Sequence, residues 1–149
     1  MKKVYLSGGL VSNWQEEVVD AVPMAIFYNP KDFSLGGIPR PDSRIYAPMD
    51  RLKIDECDIV FGYLEASNPT PINVIAECSY GKGRGKTIIF CNEWIEKNIQ
   101  LGMLKATSFK DGEGRTWFKP HYFDLVSHWF DFVETDLGRA IDILREIVT

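Results

Sequence analysis

The run DIVFGYL at residues 58–64 shows no alternation of polar and apolar side chains. A strand with one face in water alternates, so continuous apolarity implies a strand covered on both faces, as in parallel sheets. Parallel neighbours need crossover connections, and the flanking sequence supplies them. Upstream, Tyr46 to Glu56 places Met49, Leu52 and Ile54 between charges and predicts a short helix. Downstream, Thr70 as N-cap and Pro71 at the first helical position open a second helix, which the glycines from 81 to 85 close. Lys86 to Cys91 (KTIIFC) is then the next strand.

Towards the N-terminus the same alternation of elements recurs. Val4-Tyr5-Leu6 ending in Ser7-Gly8-Gly9 reads as a buried strand running into a tight turn. Ser12 and Gln15 have the form of a capping box, and Trp14, Val18, Val19 and Val22 give a helix over 13–22. Met24 to Tyr28 is a short strand stopped by Asn29-Pro30, and 30–44 is a long loop with three prolines, expected to border the site. Towards the C-terminus a helix is expected over 92–103, a polar loop over 105–115, a short helix over 119–126 and a strand from Trp129 to Val133. A last amphipathic helix is capped by Thr135, with Leu137, Ala140, Ile141, Leu144 and Ile147 on one side.

The pattern predicts an α/β fold: a five-stranded parallel sheet flanked by helices on both faces, a Rossmann- or flavodoxin-like open sandwich. Ligands in such folds bind beyond the carboxyl ends of the strands. That rule singles out the Ser7-Gly8-Gly9 turn and the segments after Tyr28, Leu64 and Cys91.

At 149 residues the chain has the size of one domain, 1–149. Hydrophobic residues at 45% and charged residues at 26% exclude a disordered composition. The net charge of −4, with basic residues scattered, argues against nucleic acid as a partner. No apolar run reaches the roughly 20 residues of a membrane helix and MKKVYLSGG lacks a signal-peptide pattern, so a cytoplasmic location is expected. Cys57, Cys78 and Cys91 sit in apolar stretches at no metal-ligand spacing and read as reduced core thiols, and His121 and His128 have no Cys near in sequence. No metal and no cofactor is expected. Neither the dinucleotide fingerprint nor the Walker pattern is present.

Two carboxylates stand out. A helical wheel puts Asn73, Glu77 and Tyr80 on one side of the helix opened by Pro71, where Glu77 at the sheet's carboxyl edge can act as nucleophile. A solvated Glu77 paired with Lys82 or Arg84 is the commoner arrangement for a surface carboxylate. Asp50, near the start of the preceding helix, is on the ligand side and can donate a proton, whereas Asp58 at a strand start reads as structural.

The ordered motifs KVYLSGGL (3–10), YNPKDF (28–33), DRLKIDECDIVFGYLE (50–65, with Asp50 eight residues before Asp58) and AECSYGKGRGKTIIF (76–90) together resemble the nucleoside 2-deoxyribosyltransferase family. The resemblance implies that Glu77 attacks C1′ of a 2′-deoxynucleoside, forming a glutamyl-deoxyribosyl intermediate whose sugar passes to another base or to water. It implies that Tyr5 orients Glu77 and that Asp50 exchanges a proton with the base. Ser7, Gly8, Gly9, Asp32 and Phe33 would contact substrate. The family's sugar-binding aspartate is replaced by the sequence Pro71-Ile72-Asn73-Val74, so Asn73 or Asn68 would take its place. Asn98 matches an asparagine that family members present to a neighbouring subunit, and at least a homodimer is implied.

Two other readings are kept. A 2′-deoxynucleoside 5′-monophosphate N-hydrolase would need phosphate donors near the first turn, where Ser7 and Ser12 are present but no Arg. A catalytically inactive nucleotide-binding module would be favoured if Glu77, Asp50 and Tyr5 did not converge on one pocket.

Overall fold

The computed structural model describes residues 1–33, 43–67, 71–94, 107–110, 112–119 and 128–149. Its elements in chain order are β1 (Lys3–Gly8), α1 (Trp14–Ala21), β2 (Ile26–Tyr28), a 3-10 turn (Pro30–Phe33), α2 (Ser43–Glu56), β3 (Ile59–Leu64), α3 (Pro71–Gly83), β4 (Thr87–Asn92), β5 (Thr107–Lys110), β6 (Thr116–Lys119), β7 (Phe132–Glu134) and α4 (Leu137–Val148). Strands β2-β1-β3-β4-β7 form one five-stranded sheet with every neighbouring pair parallel. Every residue of β3 is buried, as its unbroken apolar sequence requires.

Period-two alternation along the strands divides the core into two layers. On one face Val4, Leu6, Ile59 and Phe61 pack with Trp14 and Val18 of α1 and with Ala140, Ile141 and Leu144 of α4. On the other, Tyr5, Val60, Ile88 and Phe90 pack with Ile54 of α2 and with Val74 and Cys78 of α3. Each such apolar side chain contributes about 1.5–3 kcal/mol when fully buried. All three cysteines are buried and free, and Asp58 accepts from the Lys3 amide at 2.8 Å, a structural role.

Strand β1 has β2 on one side and β3 on the other, so the chain reverses its winding direction there. The crevice beyond the carboxyl ends of β1 and β3 is therefore the switch point where ligands bind in this class of sheet. Glycine at 62 determines how closely α3 can approach that crevice. A Cβ there would lie 2.4 Å from Cys78 Sγ and 3.3 Å from Val74 Cγ1, both on α3. Gly62→Ala is accordingly expected to destabilise the protein by about 1–3 kcal/mol, as overpacking does, read as a lowered Tm in thermal unfolding.

Several local expectations are corrected. Ser12 and Gln15 do not form a capping box: Asn13 is the N-cap of α1 and makes no side-chain cap bond. The Ser12 hydroxyl instead donates to Glu65 Oε2 at 2.7 Å, and Gln15 Nε2 to the Gly9 carbonyl at 2.8 Å. Asp136, not Thr135, caps α4, its Oδ1 accepting from the Arg139 amide at 3.0 Å. Helix α2 begins at Ser43 and carries Pro48 inside it, which leaves Asp50 two turns from its start. The polar stretch 105–115 holds strand β5, which pairs antiparallel with β6. Of the helices expected over 92–103 and 119–126, Asn92 instead ends β4 and Lys119 ends β6, residues 93–94 are helical, and the remainder lies outside the described residues.

Candidate active site

Alternation along β1 sends Tyr5 and Ser7 to the face covered by α2 and α3, and the Glu77 carboxylate of α3 meets both. The Tyr5 hydroxyl donates to Glu77 Oε1 at 3.5 Å, and Ser7 Oγ donates to Glu77 Oε2. Asp50 of α2 lies near enough for its charge to act on the same phenol, so Tyr5 is under the influence of both carboxylates. Burial, then the charges of Glu77 and Asp50, push the Tyr5 phenol far above its usual range. It therefore stays protonated near neutral pH and remains a donor.

A cleft of about 370 Å³ opens over this group, lined from α2 by Ala47, Asp50, Arg51 and Ile54 and from α3 by Asn73, Ala76, Glu77 and Tyr80. The volume is that of a small-molecule pocket. Asn73, Glu77 and Tyr80, which the helical wheel groups, all line this cleft, and Ala76, which the wheel turns elsewhere, lines it with them. On α2 the lining residues follow the i, i+3, i+4, i+7 stripe of one helix face. Towards the amino ends of the strands, Tyr80 donates to Asp55 at 3.1 Å and Arg84 Nε donates to Asp55 at 2.8 Å. The Arg84 guanidinium holds the Asp55 carboxyl below its usual range.

The alternative partners of Glu77 are engaged elsewhere. Arg84 pairs with Asp55, and Lys82 Nζ with Asp131 Oδ1 at 2.6 Å. Neither bridge ties Glu77 into a surface ion pair, and its carboxylate faces the cleft.

The remaining sequence candidates are distributed around the carboxyl edge. Gly8 lies against Trp14: a Cβ on it would come within 2.5 Å of that indole and 2.8 Å of the Tyr63 carbonyl oxygen. The Gly9 carbonyl accepts from Trp14 Nε1 at 2.9 Å and from Gln15 Nε2 at 2.8 Å, which fixes the turn. Asp32 is exposed on the 3-10 turn, its amide donating to the Asn29 carbonyl at 2.9 Å, and Phe33 ends that turn. Asn98 and Asn68 lie outside the described residues.

Sequence reasoning missed Arg51 and Glu65. The signal for Arg51 was its place beside Asp50 on the stripe that begins at Ala47. Nothing local marked Glu65, which is buried at the end of β3 and accepts from Ser12. Among the described residues no group of three or more His, Cys, Asp or Glu is placed to hold a metal ion, and no helix is long and apolar enough to cross a membrane.

No family model matches the chain, and no curated protein matches it. Solved structures do. A 2-deoxyribosyltransferase from Leishmania mexicana aligns at 15% identity with a TM-score of 0.61, covering 98% of this chain and 98% of that one. The CMP N-glycosidase BcmB from Clostridium botulinum aligns at 12% identity with a TM-score of 0.55, covering 98% and 99%. A 2-deoxyribosyltransferase from the psychrotolerant bacterium Bacillus psychrosaccharolyticus aligns at 17% identity with a TM-score of 0.51, covering 60% of this chain and 72% of that one. At these identities the likeness establishes the fold.

Proposed function

We propose that the protein is an enzyme that cleaves the N-glycosidic bond of 2′-deoxynucleosides through a glutamyl-deoxyribosyl intermediate and transfers the sugar to another base. The observation that carries this reading is the convergence of two carboxylates: Glu77 and Asp50 line a single cleft, and the Tyr5 phenol behind them donates to Glu77 and feels the charge of both. Its fold is shared with two 2-deoxyribosyltransferases and a CMP N-glycosidase, which supports chemistry at an N-glycosidic bond.

Each residue then has a role set by its chemistry. Glu77 Oε1 attacks C1′ while the C1′–N bond breaks, and the departing base takes a proton from Asp50. The transition state resembles an oxocarbenium ion, so a carboxylate beside C1′ stabilises its positive charge. A second displacement by an incoming base, its proton removed by Asp50, restores the original configuration and frees Glu77. Tyr5 keeps the Glu77 carboxylate aimed at the cleft, and Asn73 offers an amide to the sugar hydroxyls. Tyr5→Phe removes one long hydrogen bond to a charged acceptor and is expected to slow turnover about tenfold with little change in Tm.

Arg51 in the cleft wall favours a second reading, a 2′-deoxynucleoside 5′-monophosphate N-hydrolase, because a guanidinium suits a phosphate. One experiment separates these readings. The protein is incubated with a 2′-deoxynucleoside and a different free base, and in parallel with 2′-deoxynucleoside 5′-monophosphates, and the products are resolved by chromatography. A new deoxynucleoside supports transfer, and free base from the monophosphate alone supports the hydrolase. Failure to turn over any of these substrates would leave the binding module as the better reading.

A further inference from the structure

We propose that Glu65 is a specificity-determining residue: its buried carboxylate fills the anion position in the turn between β1 and α1 and turns away substrates that carry a 5′-phosphate. The proposal rests on the reading of the cleft as a site for N-glycosidic substrates, and it names those that enter, the uncharged 2′-deoxynucleosides.

A turn that leads from a parallel strand into a helix presents amides and a helix N-terminus, which together attract phosphate. Donor side chains usually complete such a site. From Ser7 to Asn13 the turn supplies two hydroxyls and one side-chain amide, with no lysine or arginine. Both hydroxyls are given to carboxylates. Ser7 Oγ donates to Glu77 Oε2, and Ser12 Oγ donates to Glu65 Oε2 at 2.7 Å. A hydroxyl has one proton to give, and a phosphate dianion only accepts, so neither serine has a donor left for it. The Tyr63 hydroxyl on β3 repeats the pattern and donates to Glu93 Oε2.

Glu65 follows β3 directly and is only 8% exposed. Among the described residues no lysine or arginine pairs with it, so no ion pair offsets its charge. Glu16 and Glu17 in the first turn of α1 add to the negative potential. Lys31, the cation that reaches this turn, places its ammonium on the Ser12 carbonyl at 2.5 Å and on Glu16 at 3.2 Å. Three carboxylates thus stand around the start of α1 against one ammonium.

The lie of the substrate brings its 5′ end to this place. With C1′ at Glu77 and the sugar hydroxyls at Asn73, one turn of α3 nearer the carboxyl edge, the 5′ substituent points beyond the ends of β1 and β3. Ser7 stands opposite Gly62, and Glu65 lies three residues further on, about 10 Å at the rise of a strand. Like charges brought together in a crevice with little water repel strongly. Arg51 on the α2 wall exerts the opposite pull, so the relative affinities of nucleoside and monophosphate decide which charge governs entry.

The test is calorimetric and needs no turnover. Dissociation constants are measured for a 2′-deoxynucleoside, its 5′-monophosphate and its 5′-O-sulfamate, a neutral group close to phosphate in size, with wild type, Glu65→Gln and Glu65→Ala. Wild type is expected to hold the nucleoside and the sulfamate about tenfold or more tighter than the monophosphate. In Glu65→Gln, whose amide oxygen still accepts from Ser12, the affinity for monophosphate relative to nucleoside should rise about tenfold or more. Glu65→Ala, which also releases the Ser12 hydroxyl, should raise it further. A monophosphate that binds wild type as tightly as the nucleoside overturns the proposal, and so does a sulfamate excluded along with the monophosphate or a ratio that moves in neither variant. Should the variants not fold, the sulfamate comparison in wild type decides alone. Failure of the underlying function reads differently: no substrate is turned over, while the affinity ratio still shifts in Glu65→Gln. If none of the three ligands binds, the proposal falls together with that reading.

Discussion

Glu77→Ala is expected to lower sugar transfer by on the order of 10⁴-fold or more, the scale on which removing a covalent nucleophile acts. The loss should appear in kcat, since the cleft wall keeps Asp50, Arg51, Asn73 and Tyr80. Truncation also strands the Ser7 and Tyr5 hydroxyls that donate to the carboxylate, at a stability cost of about 1–3 kcal/mol. Glu77→Gln separates the two effects: the amide oxygen still accepts a hydrogen bond, so stability recovers while activity does not. The decisive arm adds azide to the alanine variant. A small anion in the vacated space can attack C1′ from the nucleophile's side in a single displacement, giving a deoxyribosyl azide of inverted configuration. Recovery of that product by chromatography and NMR places the carboxylate on the reaction path, and activity of the alanine variant equal to wild type removes it.

Much of this site was legible because its parts follow local periodicity. The face of α3 carrying Asn73, Glu77 and Tyr80 is a property of 3.6-residue spacing, and β3 declared its burial through unbroken apolarity. Tyr5 and Ser7 share a face because they are two residues apart on a strand, yet what they face depends on register. That Ser7 stands opposite Gly62, and so meets Glu77 rather than open crevice, joins positions about 70 residues apart, which no window of sequence contains. The strand pair β5 and β6 escaped for another reason. Residues 105–115 read as a polar loop, yet the five residues DGEGR at 111–115, between TSFK and TWFK, also fit a glycine-containing hairpin loop. Ser12 and Gln15 matched a capping box in spacing, but Glu65 and the Gly9 carbonyl offered them partners in three dimensions. A local motif lost to tertiary contacts.

Asp50→Asn should slow base departure by about 10²- to 10⁴-fold, the usual contribution of a positioned acid, without unfolding the chain. Asparagine preserves the shape and can still meet the Tyr5 hydroxyl, but it has no proton to deliver. The distinguishing feature is the dependence on the leaving group. A base that departs as a strongly basic anion needs the proton most, so the variant's deficit should be largest for it and shrink for a base bearing electron-withdrawing substituents. Rates for a series of such 2′-deoxynucleosides, plotted against leaving-group basicity, should therefore be steeper in Asp50→Asn than in wild type. Equal slopes would mean that Asp50 only fixes Tyr5 and that proton delivery comes from elsewhere. The comparison with Tyr5→Phe then apportions the pair: loss of the phenol leaves the acid in place, so that variant should fall at all leaving groups alike.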